Sequence, residues 1–499
     1  MAQRRFPDTA YNAVTIIGAA LAGVCLATIA FLTGVELLQQ RPPPYIGLIS
    51  YVLLPVPLIL GLLMIPLGMW RERRRLRAGK PASAPVLVLD LRLPKHQAAL
   101  MLFVGVTTVF LLFTAYGSYR TFEWTESVSF CGATCHQPME PEFTAYQQSP
   151  HARVRCVDCH VGSGASWYLR SKLAGVHQLY AVVTNTYPRP IPTPISNLRP
   201  AQDTCEQCHW PAHVAGDKPS VHTYFKSDED NARWTIALLM KIGGGSTDRA
   251  PTGGIHWHMN LANEVTYVAT DSQHQHIPWV KMRHKVTGEE TVFVSTEASE
   301  SPEHLQTLPA ETMDCLDCHN RPAHIYHASA RIVDQSLARG RISTALPNIK
   351  AASVQALDGT YPSTAAAMEG ILTTLRQYYQ EHYPQVATQQ SDLIQAAAEA
   401  LKLQYSRNVF PHMRVSWKTY PNNIGHMTDL GCFRCHDGKH VSATGQVISK
   451  DCNSCHTILY QGPDPTPTTL AVTGLEFEHP TEIGEMWKEM NCKDCHAGQ

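Results

Sequence analysis

Three long stretches of the chain are almost free of polar residues, at about 13–38, 45–70 and 98–119. Each is long enough to cross a hydrocarbon core of about 30 Å, which takes roughly 20 helical residues. The first is too long for the apolar part of a cleaved leader, and no small-residue cleavage site follows it, so it reads as a retained anchor. Pro55, Pro57 and Pro66 interrupt the second, a disruption that a helix bundle tolerates. Beyond residue 120 the pattern changes. VTYVAT, HIPWVKMRH and ETVFVST alternate like strands, with VTGEE as a turn, so residues 215–310 predict a small antiparallel β insert. Residues 329–406 return to helical periodicity, most clearly in MEGILTTLRQYYQ and DLIQAAAEALKL. The proline-rich TNTYPRPIPTPISNLRP predicts an extended, solvated connection.

Charge sharpens this division. Residues 1–119 carry 11 Lys/Arg against 4 Asp/Glu, and the remainder carries 30 against 38. A basic membrane part joined to an acidic soluble part gives that asymmetry. The soluble part has no basic stripe, which argues against nucleic acid as a partner. Arg4 and Arg5 precede the first apolar run and WRERRRLRAGK follows the second; both are expected on the cytoplasmic side. The third run then delivers the rest of the chain to the outside. Tyr116, Tyr119, Phe122 and Trp124 stand where an interfacial aromatic belt is expected.

The cysteines bring in the chemistry. Of 15, Cys25 lies in the first apolar run and reads as a small buried side chain. The other 14 form seven close pairs, each followed at once by histidine. Six are CxxCH: Cys156–Cys159–His160, Cys205–Cys208–His209, Cys315–Cys318–His319, Cys432–Cys435–His436, Cys452–Cys455–His456 and Cys492–Cys495–His496. In such a motif two thiols bond to the haem vinyl groups and the adjacent histidine becomes an axial ligand of the iron. Structural zinc and disulfide frameworks also use paired cysteines, but neither requires a histidine directly after every second one. The pattern predicts seven c-type haems. Haem is attached outside the cytoplasm, which agrees with the orientation read from charge. Because haem faces supply much of the apolar surface, the fold does not depend on a large aliphatic core.

The seventh site, FCGATCHQPME, departs from its siblings: three residues separate Cys131 from Cys135, and Met139 follows His136 by three. It is expected to bind haem with an iron unlike the others, ligated by Met139, or by His136 with a weak or open far side. A low-spin iron needs a second ligand, usually histidine or methionine. The candidates nearest the motifs are His151, His213, His324, His327, His426, His440 and His479. His256/His258 and His274/His276 sit at alternate positions, which on a strand puts both members of a pair on one face, and one member of a pair is open as a ligand.

A transmembrane helix leading into FCGATCHQPM, followed by HARVRCVDCHVGSGASWYLRSKLAG, CEQCHWPAH and CLDCHNRPAH, resembles the NapC/NirT family of membrane-anchored tetrahaem quinol dehydrogenases. The resemblance covers about 105–214 and resumes at 315–324. It implies that the haem nearest the membrane takes electrons from a quinol, that Lys172 lies at the quinol pocket, and that Met139 can ligate the first haem. This chain departs from the family in its three apolar runs, in the insert before the fourth motif, and in three additional haem motifs. The family's acidic residue after the lysine is also missing, with His177, Gln178 and Leu179 in its place. The overall layout is similar to inner-membrane heptahaem cytochromes that feed external respiration.

The expectation is therefore a membrane-anchored multihaem cytochrome c. It has three transmembrane helices (1–119), a family-like region with haems 1–3 (120–214), the β insert (215–310), and a C-terminal region with haems 4–7 and a helical segment (311–499). It would sit in the bacterial inner membrane with its N-terminus cytoplasmic and its mostly α/coil haem part periplasmic. It would oxidise menaquinol or ubiquinol and pass electrons to a periplasmic cytochrome or another redox protein. Glu126, Glu140, Glu142 and His177 are the candidate proton acceptors. The competing readings are an electron-transfer subunit of a larger membrane complex and a terminal reductase of small nitrogen or sulfur oxyanions.

Overall fold

The computed structural model describes residues 7–10, 12–38, 54–81, 94–134, 136–162, 164–195, 199–210, 216–243 and 253–497. The chain divides into two units, Met1–Glu126 with Val161–Val176, and Ser127–His160 with His177–Gln499. In the first unit, α1 (Ala13–Leu38), α2 (Pro55–Arg77) and α3 (Pro94–Thr125) are the long helices. Asn12 caps α1, its side-chain oxygen accepting from the Thr15 amide at 3.0 Å. α1 and α2 pack through glycines: a Cβ on Gly18 would stand 2.7 Å from the Gly61 carbonyl oxygen, and one on Gly61 2.8 Å from that of Gly18. Small residues let apolar helices approach this closely.

Three spans were expected. Among the described residues, only Ala13–Gly34 of α1 is both long and apolar enough to cross a membrane. α2 gives its last turn to arginines, and the N-terminal part of its apolar run lies outside the described residues. α3 contains the third apolar run, with no Asp, Glu, Lys or Arg between His96 and Tyr119. Its Val109, Phe110 and Phe113 are exposed.

The second unit begins with α4 (His136–Gln148) and takes the end of α5 (Ala165–Val183). Two antiparallel sheets follow. β1 (Lys218–Phe225) and β2 (Arg233–Met240) pair with β8 (His456–Gly462). β3 (Asn263–Val268), β4 (Trp279–His284), β5 (Glu290–Ser295), β6 (Glu311–Thr312) and β7 (His440–Ser442) form the other, in the order β6-β3-β4-β5-β7. β3, β4 and β5 coincide with the alternating stretches. The insert does not close on itself, because β7 and β8 come from the C-terminal haem region.

α6 (Ser329–Ala338), α7 (Ile349–Leu357), α8 (Thr364–His382) and α9 (Ser391–Asn408) build a helical module. Here the chain builds an aliphatic core of its own. Val333, Leu346, Ile349, Ile371, Leu375 and Leu401 are fully buried together. No haem motif lies between Cys318 and Cys432, so this stretch must bury its own side chains to be stable. Lys350 and Asp334 form a buried ion pair at 2.5 Å, and Asp334 also accepts from the Phe225 amide at 3.0 Å, which ties β1 to the module. The proline-rich connection is not fully solvated either: Tyr187 and Ile191 pack on the cluster around Trp417 and Tyr420.

Candidate functional site

Three CxxCH motifs close as a single tight turn, whereas the Cys452 motif is a 3-10 turn whose His456 opens β8. The amide of His319 donates to the Cys315 carbonyl at 2.8 Å, that of His209 to Cys205 at 2.8 Å, and that of His436 to Cys432 at 3.0 Å. The i-to-i+4 closure stacks the first cysteine and the histidine on one face. Reciprocal capping boxes, Asp314 with Asp317 and Asn491 with Asp494, fix two of the motif turns. The opening motif is accommodated differently: Phe130–Thr134 is a π-helical turn. A π turn takes about one residue more than an α turn, so the extra residue is absorbed without lengthening the motif by a turn. Gly132 of that turn packs directly against the Phe143 ring. Cys135 and the His136 side chain lie outside the described residues, and Met139 is half-buried on α4.

Six proximal histidines face a second histidine. The ring centroids are 6.1 Å apart for His209–His151, 6.2 Å for His160–His324, 6.3 Å for His319–His256, 5.8 Å for His436–His258, 6.2 Å for His456–His426 and 6.2 Å for His496–His479. A metal–nitrogen bond of about 2.0 Å on each side, plus about 1.1 Å from nitrogen to ring centre, requires a separation of about 6 Å. All six gaps fit an iron between two imidazoles.

The second nitrogen is hydrogen-bonded in six of these histidines, while Nδ1 of His426 and of His456 is buried without a partner. Nδ1 of His151 donates to Pro322 O (3.2 Å), of His324 to Glu142 O (3.0 Å), of His256 to Ile242 O (3.2 Å), of His258 to Ile255 O (2.8 Å), of His436 to Ser449 O (3.0 Å) and of His479 to Thr481 O (2.7 Å). Such bonds fix the tautomer and leave Nε2 for the metal. Burial lowers the basicity of His160, His256, His258, His319, His324, His426, His456 and His496, favouring the neutral ring that ligates iron.

Of the sequence candidates, His151, His324, His426 and His479 stand in these pairs. His151 faces the third motif rather than the second, which it precedes. His324 faces the second rather than the fourth, and His426 the sixth rather than the fifth. His440 is a correction: Nδ1 bonds Asp437 at 2.9 Å and Nε2 bonds the Ile277 carbonyl at 2.7 Å, leaving neither nitrogen for a metal. His274 is likewise held by Tyr267 (3.0 Å) and Glu311 (3.4 Å). His213 lies outside the described residues. His256 and His258 were not separated by sequence because a strand was assumed; they sit on a 3-10 turn, Ile255–Met259.

The attachment cysteines succeed one another in space in chain order. Cys131 hydrogen-bonds Cys156, and Cys205 hydrogen-bonds Cys315. Cys159 and Cys208, Cys318 and Cys432, Cys455 and Cys432, and Cys492 and Cys452 are close enough for their charges to interact.

In the first unit Lys172 pairs with Glu126 at 3.4 Å, and its ammonium lies 4.9 Å from the centre of the Tyr168 ring. Glu126 keeps 12% side-chain exposure against 38% for Lys172. Burial and then the Glu126 charge raise the Tyr168 phenol above its usual value. On α5, Leu169, Leu173, Val176, Tyr180 and Val183 form an exposed apolar stripe at helical spacing. Of the other acceptor candidates, Glu142 is engaged by Arg321 and His324, Glu140 stands 3.4 Å from His412, and His177 is exposed.

Residues 93–190 match the NapC/NirT cytochrome c family, N-terminal region. The chain is 42% identical over 498 residues to the cytochrome c-type protein ImcH of Geobacter sulfurreducens, covering 99% of this chain and 97% of that protein. No solved structure matches.

Proposed function

Since the chain belongs to the NapC/NirT family of membrane-anchored c-type cytochromes, we propose that it is a quinol dehydrogenase carrying seven covalently bound haems. It oxidises menaquinol or ubiquinol at the periplasmic face of the bacterial inner membrane and delivers electrons to a periplasmic cytochrome or another redox protein. α1, α2 and α3 form its membrane anchor, with the N-terminus cytoplasmic.

The observation that carries the quinol reading is the pairing of Lys172 with a shielded Glu126 on a helix bearing an exposed apolar stripe. A quinol is an apolar molecule with two hydroxyl groups, and its oxidation releases two protons and two electrons. The α5 stripe suits the lipid boundary where its tail resides. The Lys172 ammonium donates a hydrogen bond to one quinol oxygen and orients it. Glu126, the acceptor nearest that ammonium, receives one of the two protons, and the other leaves to bulk water. Haem, when bound, supplies one-electron transfer. His160 with His324, His209 with His151, His456 with His426 and His496 with His479 would hold irons from both sides, and the chain order of the cysteines supports a linear sequence of sites. Met139 and His136 remain the ligand candidates at the first haem.

The test uses the full-length protein in lipid vesicles, with haem reduction followed optically. Lys172→Ala should slow reduction by a quinol about 10- to 100-fold, the equivalent of one charge-assisted hydrogen bond of about 1.5–3 kcal/mol. Reduction by dithionite, which bypasses the quinol pocket, should be unchanged. Equal quinol-driven rates in both proteins would remove Lys172 from the site.

A further inference from the structure

We infer that one short turn, Ile255–Met259, serves two irons at once: His256 is the axial ligand opposite His319, and His258 the axial ligand opposite His436. The inference rests on haem being bound at the Cys315 and Cys432 motifs, and it is independent of quinol oxidation.

The turn's geometry makes this possible. Two residues apart on a strand, both rings would point to the same side. On a 3-10 helix of about three residues per turn, they point roughly 120° apart and diverge toward separate sites. The observed rings do diverge. His256 lies nearly parallel to His319, with planes 4° apart, whereas His258 stands at 85° to His436. Each ring is locked by its own backbone bond, His256 Nδ1 to Ile242 O and His258 Nδ1 to Ile255 O.

The turn is itself held from both sheets. The amides of Ile255 and His256 donate to the carbonyls of Lys241 and Ile242, just beyond β2, at 2.8 and 2.9 Å. The Asn263 side chain on β3 donates to the Trp257 carbonyl at 3.2 Å. Trp257, between the two histidines, packs on the Val265, Tyr267, Ile277 and Val280 cluster together with Cys435, itself an attachment cysteine of the second of these sites. The motif-free segment 215–310 thereby acquires a task. It fixes two iron ligands at the junction between the four family-like motifs and the three C-terminal ones, so the step across that junction is set by a rigid turn.

The experiment is electron paramagnetic resonance of the oxidised holoprotein, with haem counted by alkaline pyridine spectra. Near-parallel imidazoles give a rhombic low-spin signal, and near-perpendicular ones give a highly anisotropic signal with a large leading g value. His256→Ala should convert one haem to high spin with loss of rhombic intensity. His258→Ala should convert a different one with loss of anisotropic intensity. His256→Met and His258→Met should restore low spin and raise the potential of the affected haem, which a merely structural role would not do. Unchanged low-spin signals in both alanine variants at full haem content overturn the inference, as does loss of the same signal in both. A wild-type count lacking the haems at these two motifs overturns the inference together with the haem assignment beneath it.

Discussion

Arg321→Ala removes the partner of a buried carboxylate. Arg321 Nη2 is 3.0 Å from both oxygens of Glu142, with 7% and 16% side-chain exposure for the pair. The guanidinium also donates from Nε to the His324 carbonyl at 2.7 Å and lies 4.2 Å from the Tyr420 ring. Breaking a buried ion pair from one side costs about 3–5 kcal/mol, because the remaining charge is stranded. Glu142 keeps one compensating neighbour, the His324 ring nitrogen at 3.1 Å from its carboxylate, which places the expected loss near the lower end, about 3 kcal/mol. Adding Glu142→Gln should recover part of that loss, since an uncharged amide tolerates burial better than a stranded carboxylate. The assay is guanidinium-induced unfolding followed by far-ultraviolet circular dichroism for wild type, both single variants and the double variant. A loss under about 0.5 kcal/mol for Arg321→Ala, or a double variant showing the full sum of the single losses, would refute the reasoning. Glu142→Gln carries a second readout: a weaker acceptor beside His324 makes that imidazole less electron-rich, so the potential of one haem should rise.

Two further outcomes follow from burial. Leu375 is fully buried in the helical module, so Leu375→Ala should lower unfolding stability by about 2–5 kcal/mol while leaving the haem spectrum intact; a spectral change with no stability change would contradict an independent core. His327 is held down to about 4 by burial, with Arg331 adding to the effect. Between pH 6.5 and 4 the unfolded chain binds a proton there that the folded chain refuses. Stability should therefore fall by up to about 3 kcal/mol as the pH drops through that window, and His327→Asn should flatten that part of the thermal-denaturation profile against pH.

What could be read from the sequence was what is local. A CxxCH turn closes within five residues, so motif and proximal histidine are visible together. The alternation in β3, β4 and β5 and the periodicity of α8 and α9 are similarly self-contained. Four of the six partner histidines, His151, His324, His426 and His479, stand out by position, but the motif each one faces does not. A haem is a wide plate, and a histidine a few residues from its own motif cannot reach the plate's far face. His151, His324 and His426 accordingly face other motifs than the ones they adjoin. His256 and His258 were obscured by a wrong local assumption, a strand where a 3-10 turn stands. His440 looked suitable by position, but Asp437 and the Ile277 carbonyl occupy both its nitrogens. The amphipathic runs of α8 and α9 are visible in the sequence, but which residues close the aliphatic core around them depends on contacts with α6 and α7 that are distant in the chain.

The most direct test of the central claim is an anaerobic titration of the protein, in lipid vesicles, with a menaquinol or ubiquinol analogue while the haem α-band is recorded. The account predicts that quinol alone reduces the haems, two electrons for each molecule consumed, to an extent set by their potentials. Complete reduction by dithionite with none by either quinol would contradict it.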